Sequence, residues 1–300
     1  MYVIIGATGN TGSIAANKLL AQGKKVRVVG RNADHLAPFV SKGAEAFVGH
    51  ATDKDAMTKA FAGARAVYAM IPPDMSIADL PAYQTQVTEA LASSIEKNAV
   101  KYAVVLSSVG AEQSEKTGPI SGLHRLEERL NRISGLNTLH LRAAYFMENT
   151  LGQADAIAQM GFTAGPLRPE LKIPMIATRD IGAFAADALS NLDFVGHQIQ
   201  ELQGQRDLSY ADVTTIIGKA IGKPDLKYMK ISSEQFHGAL LQMGMSENAA
   251  SLMVEMAESL DAGDIKPLHP RSPRSTTPTS YETFVAESFL PLYQTKRPAA

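Results

Sequence analysis

The sequence predicts an α/β fold, with a doubly wound parallel-sheet domain followed by a smaller, mainly helical C-terminal lobe. Short β-branched runs alternate with longer amphipathic stretches through the first half of the chain, and parallel sheets with crossover helices produce this pattern. Gly6, Gly9 and Gly12 directly follow the first apolar run. Beyond Asn149 the alternation gives way to helical patterns punctuated by proline and glycine, so we expect the second lobe to begin there.

Six apolar runs are predicted to be buried strands of one sheet, because each is short and is bounded by residues typical of turns. They lie at residues 2–5, 25–29, 44–48, 66–71, 102–106 and 137–141. The first intervening helix is predicted at 11–21, where Ile14 and Leu19 would face the sheet. Six strands with five crossovers suit the size of a Rossmann domain, which we place at residues 1–150.

The remainder of the chain, residues 151–300, is predicted to form a smaller lobe on the substrate side. One part of it, about 173–190, is expected to return to the first domain, because Asp180 opens an apolar helix after a short strand-like run. Residues 266–280 are rich in proline and basic side chains, which indicates a surface strap. The strap ends at 279–282 in residue types that predict a capping box for a last helix.

The composition argues against several classes of function. A net charge of −1 provides no basic surface for a phosphate backbone, so we expect no direct binding of nucleic acid. The chain has no cysteine, which excludes disulfides and thiolate chemistry and is consistent with a cytoplasmic location. No segment resembles a membrane span or a secretory signal. No His, Asp or Glu cluster has the spacing of metal ligands, so no metal is expected.

The segment Gly6-Ala7-Thr8-Gly9-Asn10-Thr11-Gly12 is predicted to bind the pyrophosphate of a dinucleotide. Its glycines permit a tight turn, close approach of the backbone to phosphate, and close packing of the helix on the strand. The first amides of the following helix would point at the phosphates. An apolar strand before the motif and an amphipathic helix after it make the prediction specific. The alternative is a plain turn between strand and helix.

Arg31 follows the second predicted strand and bears on the choice of cofactor. NAD-preferring sites usually carry Asp or Glu at this point, where it binds the adenosine ribose hydroxyls. A guanidinium would instead hold a 2′-phosphate through a charge-assisted bond of about 1.5–3 kcal/mol. We therefore predict that NADP(H) is preferred over NAD(H). The alternative is an exposed arginine at the start of a helix.

Three motifs together resemble those of a known family. They are the glycine loop, Leu106-Ser107-Ser108-Val109-Gly110, and Leu141-Arg142-Ala143-Ala144-Tyr145-Phe146-Met147-Glu148-Asn149. With them the sequence resembles the NmrA-like branch of the atypical short-chain dehydrogenase/reductases, and Ile71-Pro72-Pro73 looks like a further landmark. That branch contains NAD(P)H-dependent quinone and dye reductases, enzymes of isoprenoid-like or phenolic substrates, and redox-sensing regulators. The resemblance therefore implies the cofactor and leaves the reaction open.

Two positions depart from the family pattern. His50 stands where an Asp commonly follows the third strand, so the usual adenine contact is missing, and Asp53 is predicted to cap the next helix. No tyrosine is followed by Lys four positions later, so the proton-exchanging Tyr-x-x-x-Lys pair of typical dehydrogenases is absent. The resemblance places His124 where the branch often has that Lys. This argues against secondary alcohol oxidation by the usual mechanism.

His124 and Tyr145 are the candidate catalytic residues. His124 would hydrogen-bond the nicotinamide ribose or a substrate oxygen, with Glu128 one helical turn later setting its tautomer. The alternative is a histidine that makes only local hydrogen bonds. Tyr145, just past the sixth strand, is interpreted either as part of the substrate pocket or as a core aromatic. Asn149 is predicted to tie the two lobes together through its amide.

The carboxyl ends of two other strands complete the predicted site. Ser107 and Ser108 follow the fifth strand, on the side where doubly wound sheets bind ligands, and are assigned to cofactor or ribose contacts. Met70, Ile71 and Pro72 follow the fourth strand and would pack beside the adenosine ribose or the nicotinamide, unless they belong to the core. The methionine-rich helices of the second lobe are interpreted as ordinary core, or else as a pliable wall for a flat substrate.

The chain is thus predicted to be an NADPH-preferring oxidoreductase that reduces a quinone-like or aromatic electrophile. A quinone is a strong hydride acceptor whose reduced oxygen is a weak base, so positioning it beside the nicotinamide suffices without a tyrosine acid. One alternative is a non-catalytic NADP(H)-sensing regulator. Another is an isomerase or epimerase that uses the nicotinamide transiently. The expected partners are a small hydrophobic or aromatic substrate and either a second copy of the chain or a regulated protein.

Overall fold

The computed structural model describes residues 1–296, so residues 297–300 of the predicted second lobe lie outside it. The strands run in chain order as β1 (Tyr2–Ile5), β2 (Val26–Gly30), β3 (Glu45–Val48), β4 (Ala66–Ala69), β5 (Tyr102–Ser108), β6 (Asn137–Ala143), β7 (Tyr145–Phe146), β8 (Thr163–Gly165), β9 (Ile173–Ile176), β10 (His197–Leu202), β11 (Asp207–Leu208) and β12 (Tyr228–Lys230).

The α-helices likewise follow chain order. They are α1 (Asn10–Ala21), α2 (Ala33–Val40), α3 (Lys54–Ala60), α4 (Leu80–Lys97), α5 (Ile120–Asn131), α6 (Gln153–Met160), α7 (Thr178–Asn191), α8 (Tyr210–Ala220), α9 (Ser233–Gln242), α10 (Glu247–Ala262), α11 (Tyr281–Phe284) and α12 (Leu290–Lys296). Met147–Thr150 forms a turn of 3₁₀-helix and Val285–Phe289 a π-helical turn. None of the described helices is long and apolar enough to cross a membrane.

A seven-stranded parallel sheet forms the centre of the molecule, in the order β10-β6-β5-β4-β1-β2-β3. The predicted doubly wound sheet is therefore confirmed, and all six predicted strands belong to it. Both faces of the sheet are buried. Along β1, Ile4 packs toward the layer of α1 and α7, whereas Val3 and Ile5 pack toward the layer of α3, α4 and α5, as the two-residue period of a strand requires.

The seventh strand, β10, was not predicted. Its sequence His-Gln-Ile-Gln-Glu-Leu is mostly polar, and it lies at the edge of the sheet, where it pairs only with β6. Its carboxyl half is nevertheless buried, because the strap covers it. The Glu201 carboxylate accepts hydrogen bonds from the backbone N–H of Leu268 and His269, and the backbone N–H of Gln203 donates to the carbonyl of Ser275.

The helix α7 lies against α1, although it comes from the second half of the chain. A Cβ at Gly182 would lie 2.5 Å from the backbone oxygen of Thr11, so only glycine allows this close approach. Glu148 holds the start of α7, since its carboxylate accepts hydrogen bonds from both the backbone N–H and the hydroxyl of Thr178. The lobe boundary at residue 150 stays a prediction, while β10 and α7 both pack with the first domain.

The second lobe contains two small sheets, β11-β9-β7 and β12-β8, with the helices from α8 onward and their own core. The predicted capping box at 279–282 is wrong by one residue. Ser280 caps α11 by accepting from the N–H of Thr283. Thr279 instead donates from its N–H and its hydroxyl to the buried carboxylate of Asp180, which attaches the end of the strap to α7.

Candidate functional site

The glycine loop joins β1 to α1 in a conformation that excludes side chains. Gly6 has a φ of +67°, and a Cβ there would lie 2.7 Å from the sulfur of Met70. At Gly12 a Cβ would lie 2.3 Å from the carbonyl oxygen of Gly6. The N–H of Gly9 donates to that same carbonyl at 2.9 Å. The loop is therefore a tight turn that brings bare backbone to the edge of the sheet.

The N-terminus of α1 has the features of an anion site. Gly9 is its N-cap and offers no side-chain oxygen, and the first turn holds no acidic residue. The helices α2, α3 and α4 instead begin at Asn32, Asp53 and Asp79, whose side chains accept from backbone amides; the predicted cap at Asp53 is confirmed. The first amides of α1 thus remain available to a negatively charged group, and the helix dipole favours one.

Thr11 attaches the start of α1 to the neighbouring strand β4. Its hydroxyl accepts a hydrogen bond of 2.9 Å from the phenol of Tyr68, which is fully buried in β4. Burial raises the pKa of Tyr68 well above its usual range, so the phenol stays protonated and acts as the donor. The side chain of Thr11 therefore has a structural partner, and its backbone remains at the surface of the site.

A cavity of about 520 Å³ lies over the carboxyl ends of β1, β4, β5 and β6, which is where doubly wound sheets bind ligands. It brings together most of the residues that the sequence assigned to the site. Those that line it are Gly6, Gly9, Asn10, Thr11, Met70, Ile71, Pro72, Ser107, Ser108 and Tyr145. Thr8, Gly12, Arg31 and His124 are not among its lining residues. Their cofactor assignments stay predictions.

A buried ion pair lies directly behind the cavity, and sequence reasoning missed it. Arg142 donates to both carboxylate oxygens of Glu127, at 3.0 and 2.7 Å, and to Glu112 at 3.2 Å. Ser107 donates its hydroxyl proton to Glu127 at 2.5 Å. Ser107 can therefore accept a hydrogen bond from a ligand but has no proton left to give. The sequence does contain a sign of this ion pair, because Glu127 falls on the apolar face of a predicted helix and Arg142 follows a predicted buried strand.

Tyr145 lines the cavity and shares a hydrogen bond of 2.7 Å with the hydroxyl of Tyr210. Burial raises the pKa of Tyr145, while hydrogen bonds to Tyr210 and Asn149 lower it by less. Burial also raises the pKa of Tyr210 well above its usual range. Both phenols are thus neutral near pH 7, and Tyr145 can offer a hydrogen bond to a ligand oxygen. Its catalytic assignment stays a prediction.

His124 makes local hydrogen bonds at the start of α5. Its Nδ1 lies 2.9 Å from the carbonyl oxygen of Ala111, and its Nε2 lies 3.7 Å from the carboxylate of Glu128. The Ala111 carbonyl requires a proton on Nδ1, so this carbonyl and not Glu128 selects the tautomer. These contacts are local, and the assignment of His124 to the cofactor or the substrate stays a prediction.

Arg31 opens onto a neighbouring surface pocket, formed by residues 73–76 and 243–245. Its side chain is 66% exposed, and its guanidinium lies 3.9 Å from the carboxylate of Asp74. The pocket shares Pro73 and Met75 with the main cavity. The guanidinium is thus exposed at this end but paired with Asp74, whose carboxylate would repel a phosphate.

The far wall of the cavity comes from the second half of the chain. Met253, Met256 and Leu260 of α10 line it, together with Ile265 and Lys266 at the start of the strap. Two methionines thus fit the interpretation as a pliable wall, which the sequence had favoured less than ordinary core. Sequence reasoning also missed Lys266, because a proline-rich strap gives no sign of which of its residues borders a cavity.

Asn149 faces the same cavity and is exposed to it. Its side chain hydrogen-bonds to Tyr145, and its role as the tie between the lobes stays a prediction. Across residues 1–296, no three His, Asp or Glu side chains come together in a way that could hold a metal ion. The polar groups of the cavity are therefore hydroxyls, amides and one ammonium group.

A parallel seven-stranded sheet with a bare glycine loop opening its first helix defines a Rossmann-type protein. Residues 2–286 match the model of the NmrA-like family, and the chain belongs to that family. The match extends from β1 into the last helices, so it covers both the glycine loop and the far wall of the cavity.

Three known proteins show the range of the similarity. An NAD(P)H azoreductase of Xenophilus azovorans is 28% identical over 262 residues, covering 85% of this chain and 86% of its own. A (4-alkanoyl-5-oxo-2,5-dihydrofuran-3-yl)methyl phosphate reductase of Streptomyces griseus is 25% identical over 241 residues, with 80% of each chain covered. An Escherichia coli NADPH-dependent quinone oxidoreductase, solved with NADPH, superposes with a TM-score of 0.82 at 20% identity, covering 96% of this chain and 100% of its own.

Proposed function

We propose that this protein is an NADPH-dependent oxidoreductase that reduces a flat, electron-poor substrate, such as a quinone, by hydride transfer. The observation that carries the proposal is the cavity, which extends from the uncapped start of α1 to an apolar wall on α10. A polar, phosphate-binding end and an apolar end in one continuous space fit a dinucleotide beside a hydrophobic second molecule.

The residues present fit NADPH along its length. Gly6, Gly9 and the first amides of α1 would hold the pyrophosphate, and Arg31 would contact the 2′-phosphate from the neighbouring pocket. Ser107 would accept from a ribose hydroxyl or the carboxamide, because its own proton is committed to Glu127. NADPH supplies a hydride at its nicotinamide carbon when bound.

The substrate would lie against α10 and Tyr145. Met253 and Met256 offer an adaptable apolar surface for a flat ring. The neutral phenol of Tyr145 would donate a hydrogen bond to the substrate oxygen that gains negative charge. A quinone places small demands on such an acid, because its reduced oxygen is a weak base. This explains how the protein could work without the Tyr-x-x-x-Lys pair.

The names of the relatives support the coarser part of the proposal. Two of them are named as reductases, one of them dependent on NAD(P)H, and the structural neighbour is named as a quinone oxidoreductase. A redox reaction is common to the three names and a nicotinamide cofactor to two of them, whereas the electron acceptor varies. The acceptor class proposed here therefore rests on the cavity and on the missing tyrosine-lysine pair.

The decisive experiment is a steady-state assay of NADPH oxidation with a panel of quinones and a matched panel of simple ketones. We expect turnover with quinones and none with ketones, because the latter need a stronger acid. Tight NADPH binding without turnover of any quinone would overturn the proposal. In that case, capture of a protein partner that depends on the NADP⁺/NADPH ratio would favour the regulatory alternative.

A further inference from the structure

We propose that Lys266 selects substrates that carry a negative charge, such as a carboxylate or sulfonate on the aromatic ring. This inference rests on the proposed function, because it assigns a charge preference to the same cavity. Among the described residues that line the cavity, Lys266 is the one basic residue, and no acidic residue joins it. The other polar lining residues are neutral, as are the many apolar ones.

The ammonium group of Lys266 has no partner in the part of the chain that the structure describes. No hydrogen bond or ion pair of this side chain exists among residues 1–296, whereas other exposed lysines, such as Lys18 and Lys230, contact Asp187 and Asp261. A lysine whose charge is not matched by the chain can pair with a charge on a ligand, without first breaking an internal contact.

The backbone on both sides of Lys266 is fixed. Ile265 is buried, and its Cγ2 would lie 3.1 Å from a Cβ at Gly110. On the other side, the N–H groups of Leu268 and His269 donate to the buried carboxylate of Glu201, at 2.7 and 3.2 Å. The lysine is therefore held at the cavity while its four-carbon stem remains free to adjust.

The charge lies at the substrate end of the cavity. The neighbours of Lys266 in the chain contact Gly110, just after β5, and Glu201, at the end of β10. The amides proposed to bind phosphate instead follow β1. In the sheet order, β6 is three strands away from β1, which corresponds to about 14 Å at the usual strand spacing. A charge anchored beside β5 and β10 is thus placed to meet the substrate and not the pyrophosphate.

The apolar walls around the lysine increase the strength of such a contact. Charges attract more strongly beside low-dielectric surfaces than in bulk water, although the exposure of Lys266 limits the gain. We expect the contact to change the preference for a charged over an uncharged substrate by roughly five- to tenfold. The preference should weaken as the salt concentration rises.

The test compares naphthoquinone with naphthoquinone sulfonate as substrates of the wild-type protein, Lys266→Gln and Lys97→Gln. Lys97 is an exposed lysine in the last turn of α4 and does not line the cavity, so its variant controls for the loss of a positive charge. The ratio of kcat/KM for the sulfonate to kcat/KM for the uncharged quinone should fall five- to tenfold in Lys266→Gln and stay unchanged in Lys97→Gln. Equal ratios in all three proteins would overturn the inference.

A binding measurement separates this inference from the proposed function. Calorimetry would give the Kd of naphthalene sulfonate for the NADP⁺-loaded proteins, which requires no turnover. Weaker binding to Lys266→Gln than to Lys97→Gln supports the inference even if no quinone is reduced, and the proposed function would then fail alone. Equal Kd values for naphthalene sulfonate, or a loss that falls on NADPH affinity instead, would overturn the inference.

Discussion

The two ends of the cavity are built in different ways. The end that we assign to the cofactor consists of backbone, arranged by Gly6, Gly9 and Gly12 within seven consecutive residues, and it allows no side chain at two of these positions. The end that we assign to the substrate is assembled from side chains of α10, the strap and the segment after β6. Backbone geometry fixes one end, whereas adaptable side chains form the other. A family can therefore keep one cofactor while its substrates change.

The largest effect should come from filling the space at the cofactor end. In Gly12→Val the new side chain would collide with the carbonyl of Gly6, so we expect NADPH binding to weaken by roughly a hundredfold. Fluorescence titration would measure the Kd, and circular dichroism would confirm folding. Gly238→Ala, in an open part of α9, is the matched control and should stabilise the protein by about 0.5–1 kcal/mol. NADPH binding equal to that of the wild type in Gly12→Val would contradict the described packing.

Arg31→Ala should have the next largest effect, and only on the phosphorylated cofactor. Loss of a charge-assisted hydrogen bond predicts a rise of roughly ten- to a hundredfold in the Kd of NADPH, with little change for NADH. Arg132→Ala removes a similarly exposed arginine that directly follows α5 and should alter neither Kd. If NADPH and NADH weaken equally in Arg31→Ala, the arginine does not read the 2′-phosphate.

Tyr145→Phe tests whether the phenol in the cavity contributes to the reaction. We expect kcat with a quinone to fall about three- to tenfold, the value of one neutral hydrogen bond, while the Kd of NADPH stays constant. Tyr210→Phe removes the same internal hydrogen bond from a residue that does not line the cavity. The Tyr210→Phe protein should lose about as much stability against unfolding as Tyr145→Phe but keep most of its kcat. Equal losses of kcat in the two variants would mean that the pair is structural.

The smallest effect is expected at the pliable wall. Met256→Leu conserves volume, so the KM for a quinone should change by at most about threefold. The comparison of the two ends thus predicts that a substitution at Met256 changes activity little, whereas one at Gly12 strongly weakens NADPH binding. A change in KM of more than tenfold, with an unaltered melting temperature, would show that the wall is shaped as closely to its ligand as the glycine loop.

The sequence predicted the features that depend on neighbouring residues. The six strands, the glycine loop and the cap at Asp53 each follow from a short pattern of residue types. It did not predict β10, because the burial of this polar edge strand depends on the strap much later in the chain. The place of Lys266 in the lining of the cavity was missed for the same reason.

His124 illustrates a related limit of sequence reasoning. Its position in the family pattern suggests a role beside the cofactor, which stays a prediction, whereas the orientation of its ring depends on a tertiary contact with Ala111. The pairing of Glu127 with Arg142 likewise joins a helix to a strand and has no local signature. Contacts between distant segments thus determined the parts of the site that the sequence left open.

The contact between Glu201 and the strap has a consequence for the order of folding. It joins residues 67 positions apart, and its carboxylate belongs to a strand that pairs with β6, also distant in the chain. The turn at Gly6 and Gly9, by contrast, closes within a few residues. Contacts close in sequence form with less loss of chain entropy than distant ones. The cofactor end can thus take shape early, and the lysine reaches the cavity only when the strap closes over the sheet edge.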